Sequence, residues 1–523
     1  MRSLPRALLV LVGSVLLGLL PAHELLDTSS GSFIVQAESA AVVSQAVRDI
    51  GGTLRYELGI INAVSATLTP AQVQELRASG LRVYEDGQAK VAGTNGKPTY
   101  YPTLVGADRL HAAGLTGRGV GIAILDTGIH ALTGLIDDSA DATRPMAGFN
   151  ALTGATGIAS VLDQNGHGTH VLSVYASSNY TTSASVRIWN GIAPDASLVV
   201  VKAFNDEGMG TYSSVIRGID WVVANRSVYG IRVLNCSFSA AIRSPYWEDP
   251  LNQAVMKAWQ AGILVVASAG NRGPDAMTVG VPGNVPYVVT VGAMTDGYTP
   301  ADPSDDRLAS FSSAGPTREG FVKPDLLAPG GHVVGNMDKY DAIPVAYPSF
   351  FLGSNYYQMS GTSQAAAVVS GVAALVLQHN PALTPDDVKC VLMSSAKPAL
   401  KADGTLAYSI FQQGSGLVDA YGAAYSGMSG CANGGLNVRL DLSGKQHYGG
   451  PANRLPDGAY YIMGQPGYEW NGAYSGTTGY VWNDGYVWND GYVWNDGYVW
   501  NDGYVWNDTL TTPTAINSWV RQQ

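Results

Sequence analysis

The sequence predicts an α/β fold: a doubly wound parallel sheet with helices on both faces, preceded by a small α+β domain. Three observations carry this reading. From Val120 to about Ala424, short apolar runs alternate with longer helical ones, the pattern of buried parallel strands joined by helices. Ahead of them, residues 32–86 read strand, helix, strand, strand, helix, strand, the split βαβ (ferredoxin-like) order. The composition suits a large core: 523 residues, 46% hydrophobic, 14% charged and 63 Gly, against a usual charged share of about 25%. A disordered or collagen-like chain is excluded. The net charge of −11 argues against a general nucleic-acid binder, which shows a basic footprint. Three cysteines are too few for a disulfide scaffold.

The elements follow in chain order. Arg2 and Arg6 precede an apolar run, Ala7 to Leu20, closed by Pro21 and Ala22. This is the layout of an export signal over residues 1–22, shorter than the roughly 20 apolar residues that span a bilayer. An uncleaved anchor is the competing reading. Residues 23–95 hold the small domain. Strand Ser32–Val35 leads to helix Ala40–Ile50, ended by Gly51 and Gly52. Strands follow near Leu54–Leu58 and Ala63–Leu68, then helix Ala71–Ser79 with Pro70 at its start, then strand Leu81–Tyr84. Lys90–Thr99 reads as an exposed, nickable linker. The main domain, 96–430, has candidate strands Val120–Leu125, Leu198–Ala203, Val233–Ser237, Ile263–Ala267 and Val288–Val291. Helices are expected over Ser213–Asn225 and Pro250–Ala261. Residues 431–478, rich in Gly, Asn and Tyr, read as a linker, 479–508 as a repeat and 509–523 as a tail.

Sites in such sheets lie at the carboxyl ends of strands, and three polar motifs are placed accordingly. Asp126-Thr127-Gly128 directly follows the first strand. Alone, that Asp is more simply a turn residue; an aspartic-protease reading needs two such carboxylates, and there is one Asp-Thr-Gly. His167-Gly168-Thr169-His170 opens an apolar helical run; two histidines three apart complete no zinc signature here. Ser363 sits within Gly361–Ala367, at the start of an Ala-rich helix, where a capping role competes with a reactive one. Together, an Asp, a His and a Ser at glycine-bordered element ends are the ingredients of a nucleophilic triad, in the order Asp, His, Ser.

In these stretches the chain resembles the subtilisin-like serine peptidases, the subtilases. The matches are Val120–Gly128, His167–Val171 and Gly361–Ser363, with Val265–Asn271, Phe311–Pro316 and Lys323–Gly330 beside them. The resemblance spans about Tyr101 to Ser426, and the domain before it resembles the family's inhibitory propeptide. It implies a subtilisin-like fold and a serine endopeptidase. Ser363 is then the nucleophile, His167 the general base and acid, and Asp126 the group that orients His167. Asn271 is the side-chain oxyanion donor, and His170 is structural, packing or hydrogen bonding behind the motif. It implies two extended segments flanking the substrate, around Gly208, Met209 and Gly210 and around Ser237, Phe238 and Ser239. Ala267, Ser268, Ala269 and Gly270 wall the pocket for the residue before the cut. No charged partner stands in these stretches, so apolar or uncharged side chains are the expected preference.

Several positions depart from the family. Gln364 follows the nucleophile where Met is usual, Ala367 stands where Pro is frequent, and Ser239 where Gly is common. Cys236 reads as a small buried hydrophobe, and Cys390 with Cys431 as a candidate disulfide that export permits. No cofactor is expected for the chemistry. Structural calcium is common in the family, with Asp302, Asp305 and Asp306 as a candidate cluster against the simpler reading of a solvated acidic loop.

Gly-Tyr-Val-Trp-Asn-Asp recurs five times over 479–508. Asn-Asp-Gly favours turns and Tyr-Val-Trp strand. The alternatives are a stacked β array, an aromatic surface for a sugar, a surface or a partner, and a low-complexity tether. The expectation is a secreted, self-processed endopeptidase acting on proteins or peptides, with its own propeptide as inhibitor and no nucleic-acid or membrane partner after signal removal. A catalytically silent binding protein that uses the aromatic tail is the competing class.

Overall fold

The computed structural model describes residues 30–86, 99–183, 186–299 and 305–474, with three short strand pieces beyond. The expected export signal and most of the expected linker lie outside the described residues. Two compact units divide between Gly93 and Thr94, two residues before the boundary read from the sequence.

The first unit is the expected split βαβ module. Its strands are Gly31–Gln36, Thr53–Leu58, Ala63–Leu68 and Arg82–Glu85, its helices Ala40–Asp49 and Pro70–Ala78. The strands lie side by side in the order second, third, first, fourth. Ser39 caps the first helix, and Thr69 with Gln72 forms a capping box on the second. Val35, Val43, Val47, Val64, Leu68 and Leu76 close a core of its own.

The second unit is built on seven parallel strands. Across the sheet they run Met146–Asn150, Ser197–Lys202, Gly121–Asp126, Ile231–Cys236, Leu264–Ser268, Val289–Thr295 and Leu326–Pro329. Five match the expected strands. Met146–Asn150, interrupted by Gly148, and the four-residue Leu326–Pro329, ending in Pro, lack a readable apolar run. The chain leaves Gly121–Asp126 towards one edge, returns, and continues on the other side with Ile231–Cys236. The reversal places a crevice at the carboxyl ends of these two strands. The helix Thr362–His379, buried from Thr362 to Leu377, packs on the helix His167–Ala176 and on five strands of the sheet. Helices Tyr212–Asn225 and Pro250–Gln260 carry apolar faces and capped starts.

The linker expectation for 431–478 is corrected over its described part. Helix Val438–Leu442 and a three-stranded sheet, Ala452–Arg454, Tyr460–Ile462 and Gln465–Trp470, pack on the main body. Asp441 is buried and accepts from the hydroxyls of Tyr246 (2.6 Å) and Tyr287 (2.9 Å), and its other oxygen lies 2.8 Å from His447 Nδ1. Ile462 and Trp470 share a core with Ala314, Val322 and Phe411. The Gly- and Asn-rich composition hid aromatic side chains that the body buries. A truncation after Ser426 would strip this core. Cys390 and Cys431 are disulfide-bonded, with Cα atoms 5.1 Å apart, and Cys236 is free and buried. Of the repeats, Val481–Trp482 pairs with Ala399–Leu400 and Tyr498–Trp500 with His447–Gly449, both antiparallel; the rest lies outside the described residues. Among the described residues no helix is long and apolar enough to cross a membrane.

Candidate active site

Asp126 ends the central strand. Its Oδ1 accepts from the Thr127 amide at 2.8 Å and lies 2.7 Å from Nδ1 of His167. Both side chains are fully buried. The approach to His167 is held by Asp163. One Asp163 oxygen takes the amides of Asn165 and Gly166, the other the amide and hydroxyl of Thr169, at 2.7–3.0 Å. Gly166 adopts a φ of 101°, and a Cβ there would stand 2.7 Å from the Met337 sulfur. Glycine is therefore required immediately before His167. Thr127 Oγ1 receives the Gly168 amide at 2.9 Å, tying the Asp loop to the His helix.

Ser363 occupies the first turn of its helix, 0% exposed. Its hydroxyl donates to the Ser237 carbonyl at 3.0 Å, and the Ser237 hydroxyl donates back to the Ser363 carbonyl at 2.9 Å. The helix that carries Ser363 is thus docked on the carboxyl end of strand Ile231–Cys236. Nε2 of His167 is buried without a hydrogen-bond partner. A rotation of the Ser363 side chain away from the Ser237 carbonyl is needed to meet it; such contacts are often loose before substrate binds. Asn271 is fixed by its oxygen, which accepts from the amide (2.9 Å) and hydroxyl (2.7 Å) of Thr362. Its Nδ2 is left buried and unpartnered, a preset donor beside the Ser363 amide. Thr362 is the orienting residue that sequence reading did not single out.

The expected substrate segments are partly brought together. Met209–Thr211 forms a short strand after Gly208, with Met209 exposed and Gly210 buried. Ser239 and Gly270 face each other: a Cβ on Gly270 would stand 3.1 Å from Ser239 Oγ. Ala267, Ser268 and Ala269 are buried, and the Ser268 hydroxyl donates to the Phe238 carbonyl at 3.1 Å. The Phe238 ring is buried 5.2 Å from that of Phe204, which leaves its backbone for the expected substrate segment. Asp302 lies outside the described residues. Asp305 accepts from Thr299 Oγ1 at 2.6 Å, and Asp306 is buried. Among the described residues no group of three or more His, Cys, Asp or Glu could hold a metal ion.

Comparison with known proteins gives the class of this site. The model of the Subtilase family matches residues 117–422. The chain is 38% identical over 351 residues to "Serine protease AprX" of Bacillus subtilis (strain 168), covering 65% of this chain and 75% of the relative. It is 30% identical over 396 residues to "Subtilisin E" of the same strain, covering 75% and 88%. A solved structure, "Crystal structure of a cold adapted subtilisin-like serine proteinase", aligns at 29% identity over 56% of this chain and 88% of that one, with a TM-score of 0.41. The protein is a serine endopeptidase. More particularly, the chain belongs to the subtilase family, and its parallel sheet flanked by helices is the α/β fold expected of one.

Proposed function

We propose that this chain is an exported endopeptidase made as a zymogen, which cleaves peptide bonds through Asp126, His167 and Ser363. The observation that carries the reading is one convergence. The buried 2.7 Å Asp126–His167 pair and the unpartnered Asn271 Nδ2 stand around Ser363 at the sheet's reversal point. Ser363 Oγ turns to His167 Nε2, gives up its proton there and attacks the scissile carbonyl. Asp126 holds Nδ1–H of His167 and stabilises the imidazolium. The oxyanion is taken by Asn271 Nδ2 and the Ser363 amide. His167 then protonates the leaving amine, and water, activated in the same way, releases the acyl group.

Main-chain pairing along Met209–Thr211 is the proposed mode of substrate binding. In support, that edge accepts an extended strand: Pro513–Ala515 of the chain's own tail lies antiparallel on it. Neutral residues at Ser239 and Ala267–Gly270 favour apolar or uncharged side chains before the cut. A peptide library cut mainly after Lys, Arg, Asp or Glu would remove that preference. The module 30–86 serves as the inhibitory propeptide, released by a cut within residues 86–101. Ser363→Ala tests the whole reading: it should abolish casein hydrolysis and propeptide removal together. Wild-type protein that does neither would return the function to binding.

A further inference from the structure

The last described strand of the chain, Pro513–Ala515, lies antiparallel on Met209–Thr211. Ala515 stands opposite Met209, Thr514 opposite Gly210 and Pro513 opposite Thr211. These two strands form a sheet of their own. Pro513 suits the outer strand of such a pair, where its missing N–H costs no ladder bond. The same tail is fastened to the body twice before this point, through Val481–Trp482 on Ala399–Leu400 and Tyr498–Trp500 on His447–Gly449. Both pieces come from the Tyr-Val-Trp part of a repeat. Fastening of this kind keeps the end of the tail at a high effective concentration beside the edge, on the order of millimolar for short flexible linkers.

The direction of this strand decides what it can do there. Gly208 closes a turn, its amide donating to the Asn205 carbonyl at 3.0 Å. Within that turn the Asp206 carbonyl accepts from Nδ2 of Asn165 at 2.9 Å, and Asn165 precedes His167 by two residues. The Gly208 end of the edge is therefore the end tied to the base, and the Thr211 end leads away into the helix Tyr212–Asn225. An antiparallel strand runs from Thr211 towards Met209, so the tail points, amino to carboxyl, towards the triad. The edge stops at the Gly208 turn, so the bond offered to Ser363 lies just past the tail residue set against Gly208. Continuing the register makes that residue Ile516. The composition suits the neutral subsites: from Thr509 to Val520 no residue is charged.

We propose that the tail is an internal substrate, and that the enzyme removes its own C-terminus by a cut at one of the bonds between Ile516 and Trp519. The proposal rests on the function proposed above and adds a processing site at the opposite end of the chain from the propeptide. The carbonyl carbon before the cut passes to Ser363 Oγ, the peptide bond breaks, and the new amine leaves with the proton that His167 took from Ser363. Water then adds to the acyl carbon, its proton returning through His167 to Ser363 Oγ, and the shortened tail ends in a carboxylate.

The test reads the C-terminal peptide of the full chain by mass spectrometry at intervals during expression. The wild type should come to end at Ile516, Asn517 or Ser518, and Ser363→Ala should keep Gln523. A double variant, Thr514→Pro with Ala515→Pro, removes the two amide donors of the paired strand and leaves the body untouched. It should hydrolyse casein at least as fast as the wild type, and its tail should be cut roughly tenfold more slowly. Three results overturn the proposal in a wild type that hydrolyses casein: a retained Gln523, a first cut in the tail outside residues 516–519, or a double variant trimmed at the wild-type rate. The same cut in Ser363→Ala overturns it too, because the bond is then broken by another protease. A wild type that cleaves no casein overturns the function itself, a result distinct from these.

Discussion

The two halves of the site differ in how far they are wired. On the Asp126–His167 side, neighbouring groups fix the base: Asp126 holds Nδ1, Thr127 ties in the helix, and Asp163 accepts four bonds that shape the loop before it. On the Ser363 side, Asn271 Nδ2 and Gln364 Oε1 are buried without a hydrogen-bond partner, and the Ser363 hydroxyl is turned to the Ser237 carbonyl. The difference shows where orientation is built into the fold and where it awaits a ligand. His167 is oriented by its neighbours in the fold, whereas Asn271 Nδ2 and Gln364 Oε1 have no partner within it.

This contrast can be broken from either side. Asp126→Asn should have the largest effect, a loss in kcat of about 10⁴, because the wrong imidazole tautomer is then held in place. Burst kinetics on an activated ester would show acylation as the slowed step; a loss below tenfold would mean the wiring of the base is not what catalysis uses. Asn271→Leu should cost roughly 10²–10³ in kcat with KM little changed, since Nδ2 engages only the developing oxyanion. A change carried in KM instead would place Nδ2 in ground-state binding.

Smaller effects lie at the margins of each half. His130, on the Asp126 loop, lies 2.7 Å from Asp341, whose hydrogen bond holds its pKa above the ordinary value, with Asp163 and Asp338 adding to the effect and partial burial opposing it. A raised folded-state pKa gives stability that is fully present below the unfolded value near 6.5 and is lost as pH rises through the folded one. The thermal midpoint of the wild type should therefore exceed that of His130→Asn at pH 6, and the gap should close by pH 9. A gap independent of pH would remove the ion pair from the account. The smallest effect concerns oxidation. Gln364 cannot form a sulfoxide, so the natural enzyme should keep a larger fraction of its activity in mild peroxide than Gln364→Met. Equal fractional losses would show that the sensitive group lies elsewhere.

In both halves the sequence made the motif residues legible and left the residues that orient them unread. Asp126, His167, Ser363 and Asn271 stand in contiguous glycine-bordered motifs, and the central strands carry unbroken apolar runs. The orienters Thr362 and Asp163 act through hydrogen bonds that have no period and no spacing rule. The folded region 431–474 was hidden by composition: its Gly and Asn supply turns, and its Tyr and Trp are buried only because the main body offers them a surface. Met146–Asn150 escaped notice because a strand covered on both sides by the fold tolerates glycine where an isolated strand would not.

The central claim is that Ser363 alone is made nucleophilic by His167. The most direct measurement is peptide mapping by mass spectrometry after treatment with a serine-reactive sulfonyl fluoride. The account predicts one adduct, on Ser363, with labelling strongly slowed in His167→Ala and activity lost in step with it. Labelling on another serine, or casein hydrolysis that continues with Ser363 fully modified, would contradict it.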